Sequence, residues 1–550
     1  MLRNGLKWTI IAGLSLTLAA STASAADYVQ PNHSYSGYSL PSYLNKVPVA
    51  KPIWSTNLGH PSESYRYGAD RVAVGEGTIF YLKNGKLVAA NAKTGKTIWT
   101  YGEKLLTQVI YQNGTILVSD TNGRVYMVSA KTGTTKWKSA SVKGQSVFSF
   151  AFDKDTVYAN TNKGILAYDK ATGKLKWSNG SVLNSGSMMV VDDKLLASTW
   201  ESGALTVDVT YAINKQTGKT LWRAGSIPSP LLIKDGYLYS RDTWPPNDSN
   251  TYQYPLSVIE LSTGKAVEER QYIKIPEGQD ALSTQVYTSA TDGQFLFIQA
   301  NNAIFRYDYR KPGDEQQPKT YQYNGKWIAG PYNNKLFFEK EYGGGIQAIK
   351  VLNDERVDYE GLDNPVSRLD FYNSGMFVGQ TDGEIYALNV ITGKALFRYQ
   401  TQARSFEAFH IEDGVLIAQA DDSLYAFKIP AQLLQPLPTT PIANVDYVNT
   451  DAKITINGKV QTLKLNPIMI QNQIYVPLQA VAEALGAKVQ HDAATGATTI
   501  VYKNQNLNAP EGEAINQITY VKIGDFGKLL GISVVWDQAA RSVNIDTSKS

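Results

Sequence analysis

Residues 165–177 read ILAYDKATGKLKW: an alternating strand, a Thr-Gly reversal, then a second strand with a tryptophan four residues after the glycine. The same pattern recurs as LVAANAKTGKTIW (87–99), VYMVSAKTGTTKW (125–137), VTYAINKQTGKTLW (209–222) and IYALNVITGKALF (385–397). The turn glycines are Gly95, Gly133, Gly173, Gly218, Gly264 and Gly393. Their first four spacings are 38, 40, 45 and 46 residues, and the last gap of 129 holds three intervals of 43. Two degenerate copies are expected inside that gap, at IFRYDYRKPGDEQQPKTYQY from Ile304 and IQAIKVLNDERVDYEG from Ile346. A sustained period of this length is the mark of a repeat architecture.

Upstream of each Thr-Gly turn lie two more short strands joined by a tight reversal, as in GTILVSDTNGRVYMVSA at 114–130. Asn122-Gly123, Lys163-Gly164 and Asp382-Gly383 stand where that hairpin needs positive φ. Each repeat is therefore a four-stranded antiparallel unit. Trp99, Trp137, Trp177, Trp222 and Phe397 are expected as apolar plates between neighbouring units. Units of about 40 residues with four strands each make a β-propeller. The last repeat stops at SLYAFKIP (423–430) without a fourth strand, and KPIWSTNL (51–58) supplies one, with Trp54 in the tryptophan position. The two ends should complete one blade and close the ring. The expected fold is mainly β: an eight- or nine-bladed propeller, plus a small C-terminal α+β domain.

The AxDxxTGKxxW-like spacing resembles the quinoprotein-type repeat of pyrroloquinoline-quinone-like propellers, over residues 51–429. That family includes quinone-dependent alcohol dehydrogenases and non-catalytic envelope-assembly scaffolds. For the dehydrogenases the resemblance implies a quinone at the propeller axis with a calcium or lanthanide ion, a carboxylate base and, in many members, a disulfide of adjacent cysteines. The repeat itself is structural and does not choose between the two branches.

Composition narrows the choice. The 550 residues contain no Cys and 4 His, which excludes disulfides, thiolate metal sites and a cysteine nucleophile. The formal charge of +4 is too small to point to nucleic acid. Residues 1–25 have Arg3 and Lys7, an apolar run Trp8–Ala20 and the small residues Ala23-Ser24-Ala25, and read as a secretory signal peptide. Its removal takes two positive charges and leaves the mature chain at +2. The Tyr-rich stretch 26–50 reads as an extended segment.

After Ile429 the composition changes. Residues 430–443, PAQLLQPLPTTPIA, read as a Pro-rich extended linker. In 444–550, Leu478, Val481, Ala482 and Leu485 have the spacing of a short helix after the strand IYVPL. The pattern repeats at a shift of 45: Tyr475 matches Tyr520, Gly486 matches Gly531 and Asp492 matches Asp537. VPLQAVAEALGAKVQHD (476–492) is similar to the signature of the domain named for the N-terminal region of copper amine oxidases. This domain is common on secreted proteins of spore-forming Gram-positive bacteria. Only His491 lies in it, so no copper site is implied, and an attachment or interaction role is expected.

Candidate sites are few. The segment RDTWPPNDSNTYQYPL (241–256) interrupts a repeat and concentrates Trp244, Tyr252 and Tyr254, aromatic plates suited to a glycan or peptide. SDTNG (119–123) and QTDGE (380–384) read as hairpin turns rather than calcium loops. No catalytic, cofactor-binding or metal-ligating residue is assigned. The expectation is an exported monomeric scaffold that binds a protein, or a cell-wall or extracellular glycan. The alternatives are a secreted quinone-dependent oxidoreductase and an envelope protein-assembly factor.

Overall fold

The computed structural model describes residues 44–59 and 71–548 apart from 107, 142–143, 184, 204–205, 229, 243–251, 277–285, 324, 342–343, 438–446, 464, 471–472, 492–497, 511, 516–517 and 538–539. The leader 1–25 and most of the Tyr-rich segment lie outside these residues. Eight four-stranded antiparallel sheets follow one another along the chain: 72–101, 110–138, 147–179, 187–225, 232–274, 286–322, 326–358 and 366–400, here blades 1 to 8. Blade 9 is built from both ends of the repeat region, 410–428 and the strand Trp54–Asn57. Trp54 pairs with Ala426 and Asn57 with Ser423, as the truncated last repeat requires. The propeller therefore has nine blades. The two irregular stretches are full blades in which other residues make the reversal: a short 3-10 turn at Gly313–Glu315 in blade 6, and Asp354 with φ 61° in blade 7.

Each sheet shares an apolar cluster with the next. Tyr158, Ile165 and Trp177 of blade 3 pack on Leu195, Val209 and Ile213 of blade 4. The ring closes the same way, with Leu424 and Ala426 of blade 9 against Val72 and Ile79 of blade 1. Packing both faces of every sheet explains why second and third strands are buried almost throughout, such as Thr115–Ser119 and Val415–Ala420. The fourth strands, at the rim, alternate buried and exposed residues.

The repeat motif is the linkage between blades. Trp54, Trp99, Trp137, Trp177 and Trp222 donate their indole Nε1 protons to carbonyls of the following blade, Ala92, Ala130, Lys170, Lys215 and Leu261, at 2.8–3.0 Å. Each indole also lies flat on that blade's Thr-Gly turn. A Cβ on Gly264 would stand 2.4 Å from Trp222 Cδ2, and the glycine has φ +69°. The turn needs glycine twice over, for its left-handed backbone and for the ring against it. Threonine has a local role: its N–H and hydroxyl both donate to the side-chain oxygen of Asn91, Asp169, Asn214 or Asn389 three residues earlier. Phe397 packs instead on Phe427 of blade 9, with ring centroids 5.5 Å apart and the planes tilted by 30°.

Two expected spacers are partly built into the propeller. Of the linker 430–443, Leu433 is buried between blades 8 and 9, Asn373 Nδ2 donates to the Leu434 carbonyl at 2.9 Å, and Ser374 N to the Gln435 carbonyl at 3.0 Å. Its apolar residues find the gap between two sheets, so the first half is core and not spacer. Of the Tyr-rich segment, residues 47–50 join the rim edge of blade 8. Ala50 N donates to the Arg398 carbonyl and Arg398 N to the Pro48 carbonyl, both at 2.9 Å, with Val49 opposite Arg398 in a parallel bridge.

In the C-terminal domain the strands Gln473–Pro477 and Ile518–Lys522 pair antiparallel with Val476 opposite Val521. These are equivalent positions at the shift of 45, so the two half repeats meet about a local two-fold axis. Each strand runs directly into a helix, Leu478–Ala484 and Ile523–Leu530, which bury Leu478, Val481 and Ala482 and Ile523, Phe526 and Leu530. The domain rests on blade 7: Leu352 packs on its Tyr447, Ile468 and Ile515, and Tyr447 N donates to the Leu352 carbonyl at 3.2 Å. Among the described residues no helix is long and apolar enough to cross a membrane.

Candidate functional site

Among the described residues, the one group of three gathered carboxylates lies on blade 8. Its second and third strands, Gly375–Gln380 and Glu384–Asn389, are joined by Thr381-Asp382-Gly383. Gly383 has φ +94°, and a Cβ there would stand 2.7 Å from the carbonyls of Thr401 and Ala403, so the turn is pressed against the loop leaving the blade. The incoming loop brings Asp363 and Asn364 over the same hairpin. One ligand oxygen from each of Asp363, Asp382 and Glu384 falls within 4.8 Å of the others.

Asn364 Nδ2 bridges two of them, donating to Asp382 Oδ2 at 3.0 Å and Asp363 Oδ1 at 3.4 Å. Glu384 is answered on both oxygens, by Arg398 Nη1 at 2.5 Å and by the Tyr386 hydroxyl. Tyr386 in turn accepts from Asn45 Nδ2 at 2.8 Å, which ties the N-terminal segment to the cluster. Asp382 has no ion-pair partner among the described residues; it accepts from the Asn364 amide and from Glu384 N. Burial, opposed by that backbone N–H and reinforced by the charges of Glu384 and Asp363, pushes its carboxyl up to about 6. Burial, with Glu384 beside it, also raises the Tyr386 phenol.

Gln380 stands opposite Glu384 across the hairpin, on the rung after Gly379–Ile385, and both side chains face blade 7. It is 0% exposed; its Nε2 donates to the Asn364 carbonyl at 2.7 Å, and its Oε1 has no hydrogen-bond partner. The corresponding turn of blade 2 differs. There Asp120 accepts from Asn122 N, Arg124 N and the Tyr126 hydroxyl, and among the described residues it belongs to no group of three carboxylates. The sequence identified 380–384 as a turn, which it is. Asp363, 19 residues away in a connecting loop, left no motif to tie it to Asp382.

The aromatic segment 241–256 resolves differently for each residue. Trp244 lies outside the described residues. Tyr252 opens the third strand of blade 5 and is half-buried, its phenol raised by burial and by the charge of Asp314. Tyr254 is 0% exposed: its hydroxyl donates to Ser289 Oγ at 2.7 Å and Arg241 covers its ring at 5.1 Å. The expectation of a ligand-stacking Tyr254 is corrected, because strand alternation turns this residue into the core shared with blade 6.

A quinone of the dehydrogenase type, as the resemblance describes it, lies at the propeller axis with its metal ion and a carboxylate base. The carboxylate group seen among the described residues instead belongs to one hairpin and the loop before it. The chain also has no cysteine for the adjacent disulfide. These residues do not fit that cofactor.

Comparison with known proteins agrees with the repeat. Residues 50–244 and 162–299 match the family described as outer membrane protein assembly factor BamB, a PQQ-like repeat family, and residues 455–515 match the copper amine oxidase N-terminal domain. The protein is thus a quinoprotein-type repeat propeller with a copper amine oxidase N-terminal-like domain. BamB of Burkholderia pseudomallei is 28% identical over 180 residues, 31% of this chain and 45% of that protein. BamB of Moranella endobia is 31% identical over 83 residues, 15% of this chain and 21% of that protein. The chain spans less than half the length of both curated relatives. Among solved structures, BamB from Moraxella catarrhalis aligns at 13% identity and TM-score 0.39, covering 69% of this chain and 100% of that one. The quinohemoprotein alcohol dehydrogenase from Comamonas testosteroni aligns at 15% and 0.40, covering 78% and 83%.

Proposed function

We propose that this chain is an exported, non-catalytic scaffold of the cell envelope that binds a protein partner by accepting an extended segment on the rim edges of its blades. The observation that carries the reading is the pairing of residues 47–50 with Arg398, in which the chain's own extended segment already uses one such edge. Strand addition draws affinity from main-chain hydrogen bonds and selectivity from alternate side chains. The other rim strands end their sheets in the same way. On several of them an apolar residue stands at the rim: Ile98, Leu175, Leu221 and Val267 are 46–56% exposed. Each of these residues stands on a strand whose outer edge ends its sheet, and an exposed apolar edge strand is a template for a partner strand. The reading 1–25 as a signal peptide supports export, and the names of the curated relatives, which describe assembly factors, support a protein partner.

The test places a photo-crosslinking residue at 98, 175, 221 or 267 of the full chain in its source cells, with position 460 of the C-terminal domain as control. The reading expects adducts to one identified protein from the rim positions, and loss of the position 175 adduct in the triple variant Ile98→Lys, Leu221→Lys, Val267→Lys. Adducts from position 460 alone, or rim adducts indifferent to the lysines, overturn it.

A further inference from the structure

We propose that Asp363, Asp382 and Glu384, with the side-chain carbonyl of Gln380, form a binding site for one calcium ion on blade 8. Two independent observations meet there. Three carboxylates from two chain segments bring their oxygens within 4.8 Å of one another. Beside them a fully buried amide oxygen, Gln380 Oε1, has no hydrogen-bond partner. Its Nε2 is held on the Asn364 carbonyl, and Asn364 Nδ2 touches both aspartates. The amide is thereby anchored against the cluster, on the hairpin face that also carries Glu384. A buried carbonyl oxygen left without a donor costs about 1–3 kcal/mol, and a cation satisfies it.

The donor chemistry selects the ion. All four groups offer oxygen, the ligand set of hard cations and not of zinc or copper. Oxygens on one calcium at 2.3–2.6 Å lie no more than about 5 Å apart, and the three carboxylates are within that limit. Calcium accepts an irregular set from a hairpin and a loop, whereas magnesium demands near-octahedral geometry and keeps most of its water. Charge agrees. Arg398 answers Glu384, while Asp382 is met only by neutral donors among the described residues.

The ion would join three parts of the ring. Asp363 belongs to the loop arriving from blade 7, Asp382 and Glu384 to the hairpin of blade 8, and Glu384 reaches the N-terminal segment through Tyr386 and Asn45. That segment leads directly into the strand that closes the propeller. Calcium would therefore brace the seam at which the ring shuts.

The experiment uses the full mature chain, stripped with chelator and titrated with calcium by calorimetry and by thermal unfolding. The expected result is one calcium per chain and a rise in Tm. Asp382→Asn should weaken binding at least tenfold and abolish the rise, and Asp120→Asn, in the corresponding turn of blade 2, should change neither. No heat and no Tm shift up to roughly 5 mM calcium, beyond the weakest extracellular calcium modules, overturns the proposal. So does uptake that Asp382→Asn leaves intact. Should that variant not fold, terbium serves on the wild-type chain. Emission excited through tyrosine should saturate at one ion, be displaced by calcium, and fall in Tyr386→Phe; emission unchanged in that variant places the ion elsewhere and overturns the assignment.

Discussion

Trp54 rests on Gly95: a Cβ on the glycine would stand 2.7 Å from the indole Cγ, and the indole Nε1 donates to the Ala92 carbonyl at 2.8 Å. These residues belong to blades 9 and 1, so the bond that links blades 1 to 5 in turn is also the one that shuts the ring. A motif repeated along the chain becomes a closed surface because its two halves, tryptophan and Thr-Gly, act on different blades.

The linkage is testable at a regular position. Gly264→Ala puts an L-residue at φ +69° and a methyl against Trp222. The backbone costs roughly 1–2 kcal/mol and overpacking about 1–3 more. Trp222→Ala should cost about 3–5 kcal/mol. Because both changes break one contact, the double variant should lose less than the sum in urea unfolding.

The closing blade should behave differently from the rest. Trp54→Ala removes the same contact, but its strand, Trp54–Asn57, comes from the far end of the chain and is held by its pairing in blade 9, by this indole and by Lys83 Nζ, which donates to Thr56 Oγ1 at 2.9 Å. Limited proteolysis should cut near residue 59 much faster in Trp54→Ala than in Trp177→Ala. Equal rates would show that the closing strand is held no less firmly than the others.

Ala50→Pro deletes the N–H that Ala50 donates to the Arg398 carbonyl. Hydrogen exchange should rise at least tenfold at the Arg398, Val47 and Val49 N–H groups, with the rest of blade 8 unchanged. Protection unaltered by the substitution would remove the edge-pairing precedent.

Tyr254→Phe should lower stability by about 1 kcal/mol, the net worth of the bond to Ser289, and leave partner binding unchanged. Thermal unfolding with the crosslinking assay checks both halves.

Asp382 gives stability a pH dependence in chelator. Its folded-state pKa, about 6, is above the ordinary aspartate value of 3.8, so the folded protein holds this proton more tightly. The contribution is fully present below pH 4 and is lost as pH rises through 6. The Tm of wild type relative to Asp382→Asn should therefore fall between pH 4 and 7 and level off above. Asp363, Glu384, Tyr386 and Arg398 surround the group in both proteins, so the difference isolates Asp382. Saturating calcium should reverse the trend, since the ion competes with the proton.

Sequence alone carried the fold a long way, for a local reason. The Thr-Gly turn, its Asx partner and the tryptophan four residues on are all encoded within 13 residues, and a repeated local rule is visible wherever it recurs. The two half repeats of the C-terminal domain were legible on the same ground. Ring closure could be foreseen too, because one repeat lacked a strand and one strand lacked a repeat.

Only the tertiary structure decided what lies between segments. Nine blades became certain when the stretches without a Thr-Gly turn proved to reverse through Gly313–Glu315 and Asp354. Tyr254 looked like a binding residue until strand alternation placed it in a core. The carboxylate group on blade 8 was invisible because Asp363 reaches Asp382 and Glu384 through a loop whose path depends on how two blades pack. A repeat writes its contacts at a constant spacing and can be read along the chain. A site made where loops converge has no spacing to read, and exists only once the sheets have closed around it.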